Sequence, residues 1–265
     1  MNQIERRMLD VLRELKDEHG ILAIKAEFEA EGSRTDELVK LNEIVFRADM
    51  DLFIKIGGCE AVRDLDQCRL RGASGIMAPM IETPFAMQKF VAAAQKVYGE
   101  ETPDIEWIIN AETKTCRSNF DDILEAGAGF LDTISIGRVD LSASMGLTRA
   151  DINGPEILGA AQEFAQKAKA KGIVVGFGGG ISFDAIPFIK EMKGLADKFE
   201  TRKVVFRYEA DVKRLQDGIL LAMEFETLYL QNKCAFYDRM ANEDRQRMEM
   251  LCVRLDKAKN DADQA

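Results

Sequence analysis

The segment Gly75–Val97, GIMAPMIETPFAMQKFVAAAQKV, contains a short apolar run followed by a longer stretch with helical spacing. The run Gly75–Ile81 is typical of a buried strand, and Pro84–Val97 repeats its apolar residues with the period of a helix. The same order of strand and then helix recurs along the chain, and such an alternation predicts a parallel sheet. Strands are predicted over Ile21–Phe28, Leu52–Ile56, Gly75–Ile81, Ile105–Ala111, Asp132–Ile136, Gly172–Phe177 and Lys203–Arg207.

A parallel sheet of this size closes most naturally as a (β/α)₈ barrel of the TIM type, which needs about 250 residues. The pattern gives seven clear strands, so we expect either an irregular eighth strand or an open, doubly wound sheet. The helical stretches between the strands are Thr35–Arg47, Cys59–Arg71, Pro84–Val97, Asn119–Ala126, Pro155–Lys171 and Phe183–Lys193.

The two ends of the chain lie outside this alternation. Met1–His19 has apolar residues at helical spacing and is followed by Gly20, which predicts an N-terminal helix ending there. Residues 211–257 read as two or three C-terminal helices that cap the barrel or dock on a neighbouring subunit. No linker rich in Gly, Ser or Pro occurs, so a single domain over residues 1–265 is predicted.

The composition excludes several classes of protein. The 265 residues carry a formal net charge of −10 and no basic stripe, so nucleic acid is not an expected partner. The apolar runs are too short to span a membrane, and the charged N-terminus does not resemble a secretory signal. The five cysteines form no CxxC pair, which indicates reduced thiols and a cytoplasmic protein.

In a barrel of this kind the active site lies at the carboxyl ends of the strands. Charged residues follow several of the predicted strands, and converging carboxylates suit a hard divalent cation such as Mg²⁺. Such an ion can polarise a carbonyl, and a nearby cation can stabilise an enolate oxygen. The charged residues at these strand ends include Lys25, Glu27, Glu29, Glu31, Lys55, Glu82, Glu112, Arg138 and Asp140.

Three segments, in order, resemble one known family. Ile136–Gly146, IGRVDLSASMG, is similar to the IGPxDLSxSxG signature of the HpcH/HpaI aldolase and citrate lyase β-subunit family. Ile109–Leu124, INAETKTCRSNFDDIL, resembles that family's IETxxAxxNxDEI stretch, and Gly72–Ala86 resembles its GAxGIMVPMVET stretch. The resemblance extends roughly from Ala23 to Ser182.

The resemblance implies a metal-dependent enzyme of the phosphoenolpyruvate/pyruvate barrel superfamily, which makes or breaks carbon–carbon bonds through an enolate. It implies Mg²⁺ or Mn²⁺ bound by a Glu and an Asp, and these correspond to Glu112 and Asp140. Glu82 competes for the first role, but Glu112 lies one β/α unit before Asp140 and is preferred. From the residues alone, Asp140 could equally cap a helix and Glu112 could form an ion pair.

This sequence departs from the family pattern at three places. Lys55 stands where relatives have an arginine, Arg138 replaces the proline of the signature, and no histidine occurs after the first predicted strand. We therefore predict Lys55, Glu27 and Glu29 as catalytic residues. The substrate-binding residues are predicted to be Lys25, Arg138, Ser142 and Gly179, the last within a Gly178–Gly180 turn that could cradle an anion.

The predicted function is a metal-dependent carbon–carbon lyase or aldolase acting on a pyruvate-like 2-oxo acid or an acyl-CoA. One alternative is a Schiff-base aldolase that uses Lys25 or Lys55 as the nucleophile. Another is a non-catalytic ligand-binding or assembly protein on the same scaffold. A homo-oligomer, a trimer or hexamer as in relatives, is also expected.

Overall fold

The computed structural model describes residues 1–263. Eight strands form a closed barrel in the order of the sequence, and ten α-helices accompany them. This confirms the predicted barrel and excludes the open, doubly wound sheet. The strands are β1 (Ile21–Glu27), β2 (Asp51–Lys55), β3 (Gly75–Ala78), β4 (Glu106–Ala111), β5 (Thr133–Gly137), β6 (Val174–Gly178), β7 (Lys198–Glu200) and β8 (Val204–Arg207).

Most of the helices connect strands on the outside of the barrel. The first, α1, precedes β1 and is capped by Asn2 at its start and by Gly20, with φ 63°, at its end. The helices are α1 (Gln3–His19), α2 (Thr35–Arg47), α3 (Val62–Leu70), α4 (Pro84–Tyr98), α5 (Lys114–Ser118), α6 (Phe120–Ala126), α7 (Arg138–Ser144), α8 (Pro155–Ala170), α9 (Ile186–Glu191) and α10 (Val212–Asp263).

The last two strands differ from the sequence prediction. The predicted seventh strand is in fact the eighth, β8, and β7 was not predicted. β8 pairs antiparallel with both β7 and β1, whereas the other neighbouring strands pair parallel. The connection from β7 to β8 is a hairpin closed by the Thr201 N–H, which donates to the Val204 carbonyl at 2.9 Å. A hairpin needs no crossover helix, so the barrel closes without an eighth β/α unit.

Side chains alternate along the strands between the barrel interior and the helices outside it. The outward residues belong to the main core, which they share with the helices. The inward residues form a separate small cluster in the middle of the barrel. Its members are Ala23, Phe53, Met77, Ile108 and Val205.

The barrel interior is filled by the ring of Phe53, and Gly75 on β3 makes room for it. A Cβ on Gly75 would lie 2.5 Å from that ring. We predict that Gly75→Ala lowers the free energy of unfolding by about 1–3 kcal/mol, because an overpacked interior must shift. Urea unfolding checks this, with Gly159→Ala as the control. Gly159 lies in α8 and has nothing within 4 Å of the added Cβ, so unchanged or higher stability is expected there. Equal stability of the two variants would contradict the packing argument.

The C-terminal region is one helix, α10, and not the two or three helices predicted for residues 211–257. The region contains no proline, and its one glycine, Gly218, lies where the helix approaches the barrel closely. A Cβ there would lie 3.1 Å from Phe206 and 3.3 Å from His19. The first part of α10 packs antiparallel on α1, with Arg7 bonded to Glu224 at 2.7 Å. The later part extends beyond the barrel and is exposed. No helix within residues 1–263 is both long and apolar enough to cross a membrane.

Candidate active site

The carboxyl ends of the parallel strands hold a layer of buried charged side chains above the apolar interior. Lys25 and Lys55 lie two residues beyond Ala23 and Phe53 on the same faces of β1 and β2, so they continue the inward rows. Both lysines and Glu112 are less than a tenth exposed. Since buried charges are normally paired, the pairing of these groups defines the site.

One group of ion pairs is centred on Lys55. Its ammonium lies 2.9 Å from Glu29 Oε2 and 3.7 Å from Glu112 Oε2. Burial lowers the pKa of Lys55, but the carboxylates of Glu112 and Glu29 outweigh burial, so the pKa is higher than that of an ordinary lysine. Lys55 is therefore a fixed cation between a buried carboxylate and a partly exposed one.

A second group is centred on Lys25. Its ammonium lies 3.0 Å from Glu200 Oε1 and 3.5 Å from Glu27 Oε1. Ser135 also donates to Glu200 at 3.1 Å, and Arg202 lies 3.6 Å from Glu27. Burial lowers the pKa of Lys25, and Glu200 and Glu27 more than offset this, so the pKa is raised. Like Lys55, Lys25 is held in its charged form.

Glu112 lies just after β4 and is 1% exposed. Its carboxylate accepts hydrogen bonds from the Met80 N–H at 3.0 Å and the Asn110 side-chain amide at 2.8 Å. Met80 has φ 54°, a left-handed conformation that costs a non-glycine residue about 1–2 kcal/mol. Gly137 leaves the space for this carboxylate, because a Cβ there would lie 2.7 Å from Glu112 Oε2. Backbone and side chains of three neighbouring strands thus fix the Glu112 position.

Burial raises the pKa of Glu112, and the hydrogen bonds and Lys55 only partly offset this effect. The negative charge of Asp140 raises it further. Asp140 is exposed in the first turn of α7, directly after β5, so the two carboxylates lie within electrostatic reach of each other. The fold brings together the pair that the sequence predicts as metal ligands, and the metal-binding role itself stays a prediction.

The donor set fits a hard divalent cation. Within residues 1–263, no group of three or more His, Cys, Asp or Glu side chains is arranged to hold a metal ion. Mg²⁺ commonly takes one or two carboxylates and completes its shell with water and substrate oxygens, which matches Glu112 with Asp140. The ammonium of Lys55 near Glu112 leaves the buried carboxylate only partly neutralised, since Lys55 is also shared with Glu29.

Arg138 has a different position from the one expected of a substrate-binding residue. It is fully buried, and its guanidinium donates to the backbone carbonyls of Gly178 and Gly179 and to the side chain of Asn153. It stacks over the ring of Phe188 with 4.4 Å to the centroid. Burial without a carboxylate lowers its pKa to about 10. The donors of Arg138 therefore hold the turn after β6 rather than a substrate.

Gly179 and Ser142, two other predicted substrate-binding residues, also make contacts within the chain. Gly179 has φ 83°, its carbonyl accepts from Arg138, and an added Cβ would lie 3.0 Å from the Val139 nitrogen. Ser142 is 1% exposed and donates to the Thr148 carbonyl at 3.3 Å. Close packing against α7 explains why a glycine stands at position 179. The hydrogen bond from Ser142 to the Thr148 carbonyl closes the turn after α7. Of the predicted substrate-binding residues, Lys25 alone lies within the charged layer.

Two residues of the charged layer were not predicted as site residues. Glu200 was missed because β7 was not recognised, although Lys198-Phe199-Glu200 has the alternation of a short strand. Asn110 lies two residues beyond the inward-facing Ile108, and its side-chain oxygen is buried with no hydrogen-bond partner among residues 1–263. An acceptor left unpaired in this position suits a donor from a bound molecule.

Comparison with models of known protein families identifies the family of this chain. The model of the HpcH/HpaI aldolase/citrate lyase family matches residues 18–177, more than half of the chain. The chain belongs to this family. The matched region contains β1 to β5 and most of β6, and with them Lys25, Lys55, Glu112 and Asp140. Membership supports a lyase or aldolase function, in a family whose members are generally dependent on divalent metals. A search of curated proteins found no match.

Solved structures resemble the fold at low sequence identity. An HpcH/HpaI aldolase from Desulfitobacterium hafniense DCB-2 is 18% identical with a TM-score of 0.58, covering 73% of this chain and 82% of that one. An HpcH/HpaI aldolase/citrate lyase family protein from Burkholderia cenocepacia J2315 is 16% identical with a TM-score of 0.56, covering 72% and 92%. RipC from Yersinia pestis is 13% identical with a TM-score of 0.51, covering 77% and 87%. These likenesses establish the shared barrel and nothing finer.

Proposed function

We propose that this protein is a divalent-metal-dependent carbon–carbon lyase or aldolase that acts through the enolate of a pyruvate-like 2-oxo acid or of an acyl-CoA. The observation that carries the proposal is the buried carboxylate of Glu112, placed within reach of the Asp140 carboxylate and the Lys55 ammonium. Enolate chemistry requires a site that stabilises added negative charge, and the Lys55 ammonium together with a divalent cation held by the two carboxylates would supply it.

Glu112 and Asp140 would hold Mg²⁺ or Mn²⁺. When bound, the ion would polarise the substrate carbonyl and stabilise negative charge that develops on its oxygen. The chain supports this arrangement by fixing Glu112 with the Met80 N–H and the Asn110 amide, so that its carboxylate does not reorient.

Lys55 provides a positive charge beside the same oxygens. Its ammonium is shared between Glu29 and Glu112, and it stays protonated at neutral pH because both carboxylates raise its pKa. A cation in a water-poor site stabilises a developing oxyanion more strongly than it would in bulk water. We therefore assign Lys55 to the carboxylate or the enolate oxygen of the substrate.

Glu29 is the better placed of the two glutamates proposed for proton transfer. Its side chain is 28% exposed and contacts Lys55, so it lies between solvent and the charged layer. Glu27 is buried and already paired with Lys25 and Arg202. Glu29 can exchange a proton with water and deliver it to the mouth of the barrel. The unpaired oxygen of Asn110 can accept a hydrogen bond from a substrate hydroxyl.

The lysine environments oppose the Schiff-base alternative. A lysine nucleophile must be neutral, and enzymes achieve this by lowering its pKa. The carboxylates around Lys25 and Lys55 raise the pKa of each. Both lysines are therefore better suited to electrostatic roles.

The test is proton exchange of the pyruvate methyl group in D₂O, followed by NMR with and without Mg²⁺ or Mn²⁺. We expect exchange that requires the metal and is insensitive to borohydride, which traps Schiff bases. Exchange that persists after metal removal, with a borohydride adduct on Lys25 or Lys55, would replace this mechanism with the Schiff-base one. Metal binding without exchange would exclude pyruvate, and acetyl-CoA is then the next substrate to assay. Failure to bind metal or to act on either substrate would favour a non-catalytic scaffold.

We also propose that the protein is a homo-oligomer in the cytosol. Exposed thiols at Cys234 and Cys252 suit a reducing compartment. Large apolar side chains exposed along α10 support self-association.

A further inference from the structure

The loop between β1 and α2, residues 28–34, is named the acidic loop and begins at the mouth of the barrel. Near α2 its backbone bonds back to β1, where the Ser33 N–H donates to the Glu27 carbonyl at 3.1 Å. Within residues 1–263, the N–H groups of residues 29–32 donate to no backbone carbonyl. The middle of the acidic loop is therefore held by its side chains and not by its backbone.

Two glutamates of the acidic loop contact different lysines. Glu29, the residue proposed for proton transfer, lies 2.9 Å from Lys55. Glu31, two residues later, accepts a hydrogen bond from the ammonium of Lys203. The side chains of Glu31 and Lys203 are 12% and 1% exposed, whereas that of Glu29 is 28% exposed. The contact between Glu31 and Lys203 is thus the more enclosed of the two, and Glu29 lies two residues from it.

Lys203 lies at the tip of the hairpin between β7 and β8, outside the residues that the family model matches. Because β8 runs antiparallel to β1, its start lies beside the carboxyl end of β1. The Lys203 carbonyl accepts from the Lys25 N–H at 2.8 Å, which fixes the backbone at this point. The Lys203 ammonium lies 4.2 Å from the centroid of the Tyr229 ring on α10. Lys203 is therefore fixed at its backbone and at its ammonium.

The ion pair between Lys203 and Glu31 differs from the pairs of the other two buried lysines of the mouth. Burial lowers the pKa of Lys203, and nearby carboxylates, Glu31 first, only partly offset this effect. The pKa values of Lys25 and Lys55 are raised. A buried ion pair often adds little to stability, because lost hydration offsets the attraction. It does fix geometry, since moving either group would leave the other charge buried without a partner.

We propose that Lys203 is a positioning residue, whose contact with Glu31 holds the acidic loop so that Glu29 stays beside Lys55 at the mouth of the barrel. This inference rests on the proposed enolate chemistry. Without the Lys203 ammonium, the nearest cation to Glu31 would be the half-exposed Arg202, at 3.9 Å. The Glu31 carboxylate would then turn toward water and displace the loop. A displacement of about 1 Å is enough to slow a reaction by about 10²-fold.

The first test measures the loop and is independent of any activity. Lys203→Met keeps an apolar side chain of similar length and removes the charge. We expect hydrogen–deuterium exchange of the Ser33 N–H to become about 10-fold faster or more, because the loop opens more often. The matched control is Lys198→Met. Lys198 is also buried, pairs with Glu106 and lies 5.4 Å from the centroid of the Phe53 ring, but at the opposite end of β7. Unchanged exchange of the Ser33 N–H is expected there.

The second test asks whether Lys203 acts through Glu29. Lys203→Met is expected to lower metal-dependent proton exchange of the substrate by about 10–100-fold, and Glu29→Gln by about 10²-fold or more. Once Glu29 has been replaced, Lys203→Met should have no further effect, because the group that it positions is already absent. General damage to the site would instead lower the exchange of the double variant further. Mg²⁺ affinity should be unchanged, since Glu112 and Asp140 lie outside the acidic loop. Lys198→Met should leave the rate of exchange within a few-fold of the natural chain.

The outcomes separate this proposal from the proposed function. Absence of proton exchange in the natural chain would overturn the proposed function, and the catalytic role of Lys203 with it. Unchanged exchange of the Ser33 N–H in Lys203→Met, an equal loss of activity in Lys198→Met, or effects that multiply in the double variant would overturn the positioning role alone. Circular dichroism checks that each variant is folded. If Lys203→Met does not fold, Glu31→Ala removes the same contact from the loop and is expected to give the same results in both tests.

Discussion

Replacing Glu112 with glutamine is expected to lower pyruvate proton exchange by about 10²–10³-fold and to weaken Mg²⁺ binding, while leaving the barrel folded. Glutamine keeps the shape of the side chain and can still accept from the Met80 N–H. It removes the negative charge that the metal would need. The fold should tolerate the change, since burial already disfavours the charged carboxylate and Lys55 keeps Glu29 as a partner.

The matched control for this prediction is Glu82→Gln. Glu82 lies after the neighbouring strand β3, in the same Glu-Thr sequence context, and accepts from the Thr113 hydroxyl at 2.6 Å. We expect proton exchange within a few-fold of the natural chain for this variant. Full activity and full Mg²⁺ affinity in Glu112→Gln would remove Glu112 from the metal site. Loss in Glu82→Gln alone would transfer the role to Glu82.

The pH dependence of Mg²⁺ binding follows from the same carboxylate. A ligand must be deprotonated to bind a metal ion, and burial raises the pKa of Glu112. Binding should therefore be complete above the raised pKa and should weaken as the pH falls through it. Titration calorimetry at several pH values should place this loss at a higher pH than the ordinary glutamate pKa of about 4.3.

The sequence predicted the parts of the barrel that repeat a strand and then a helix. Six strands lie close to their predicted positions because their runs are apolar and separated by long helical stretches. β7 was not predicted because it has only three residues and two of them are charged. Its strand conformation is stabilised by pairing with β6 and β8 in the closed barrel. The antiparallel direction of β8 depends on the hairpin at Thr201–Lys203. Neither the periodicity nor the spacing of apolar residues predicts this hairpin.

The placement of charged side chains could be predicted from the sequence where position in a strand determines orientation, and their functional roles stay predictions. Lys25, Lys55 and Glu112 follow inward rows, so their place in the charged layer could be derived from strand ends. Arg138 could not be placed in this way. Its direction is set by the rings of Phe177 and Phe188 and by the carbonyls after β6, which come from distant parts of the chain. Arg138, the cation two residues before a predicted metal ligand, therefore has its donors bonded to the loop after β6 and to Asn153.

Replacing Lys25 with methionine is expected to lower the free energy of unfolding by about 3–5 kcal/mol, because it leaves the carboxylate of Glu200 buried without a cation. Glu200 would keep only the hydroxyl of Ser135, and Lys25 is 6% exposed in the folded chain. The pKa of Lys25 is higher in the folded than in the unfolded chain. Its contribution is therefore complete below the ordinary lysine pKa of about 10.4 and is lost as the pH rises through the raised value. Urea unfolding should give a constant deficit for Lys25→Met between about pH 6 and pH 9, which narrows at more alkaline pH.

Two further variants test whether the loss of stability in Lys25→Met comes from the unpaired carboxylate of Glu200 or from the loss of a lysine in general. Lys171→Met removes an exposed pair with Glu125, whose atoms are 3.0 Å apart, and should cost less than about 1 kcal/mol. The double variant Lys25→Met/Glu200→Gln removes both charges and should recover much of the lost stability, because no unpaired buried charge remains. If the double variant were no more stable than Lys25→Met, the lost packing of Lys25, and not the unpaired charge of Glu200, would be the source of its effect. The pairing of Lys25 with Glu200 would then contribute little to the stability of the barrel.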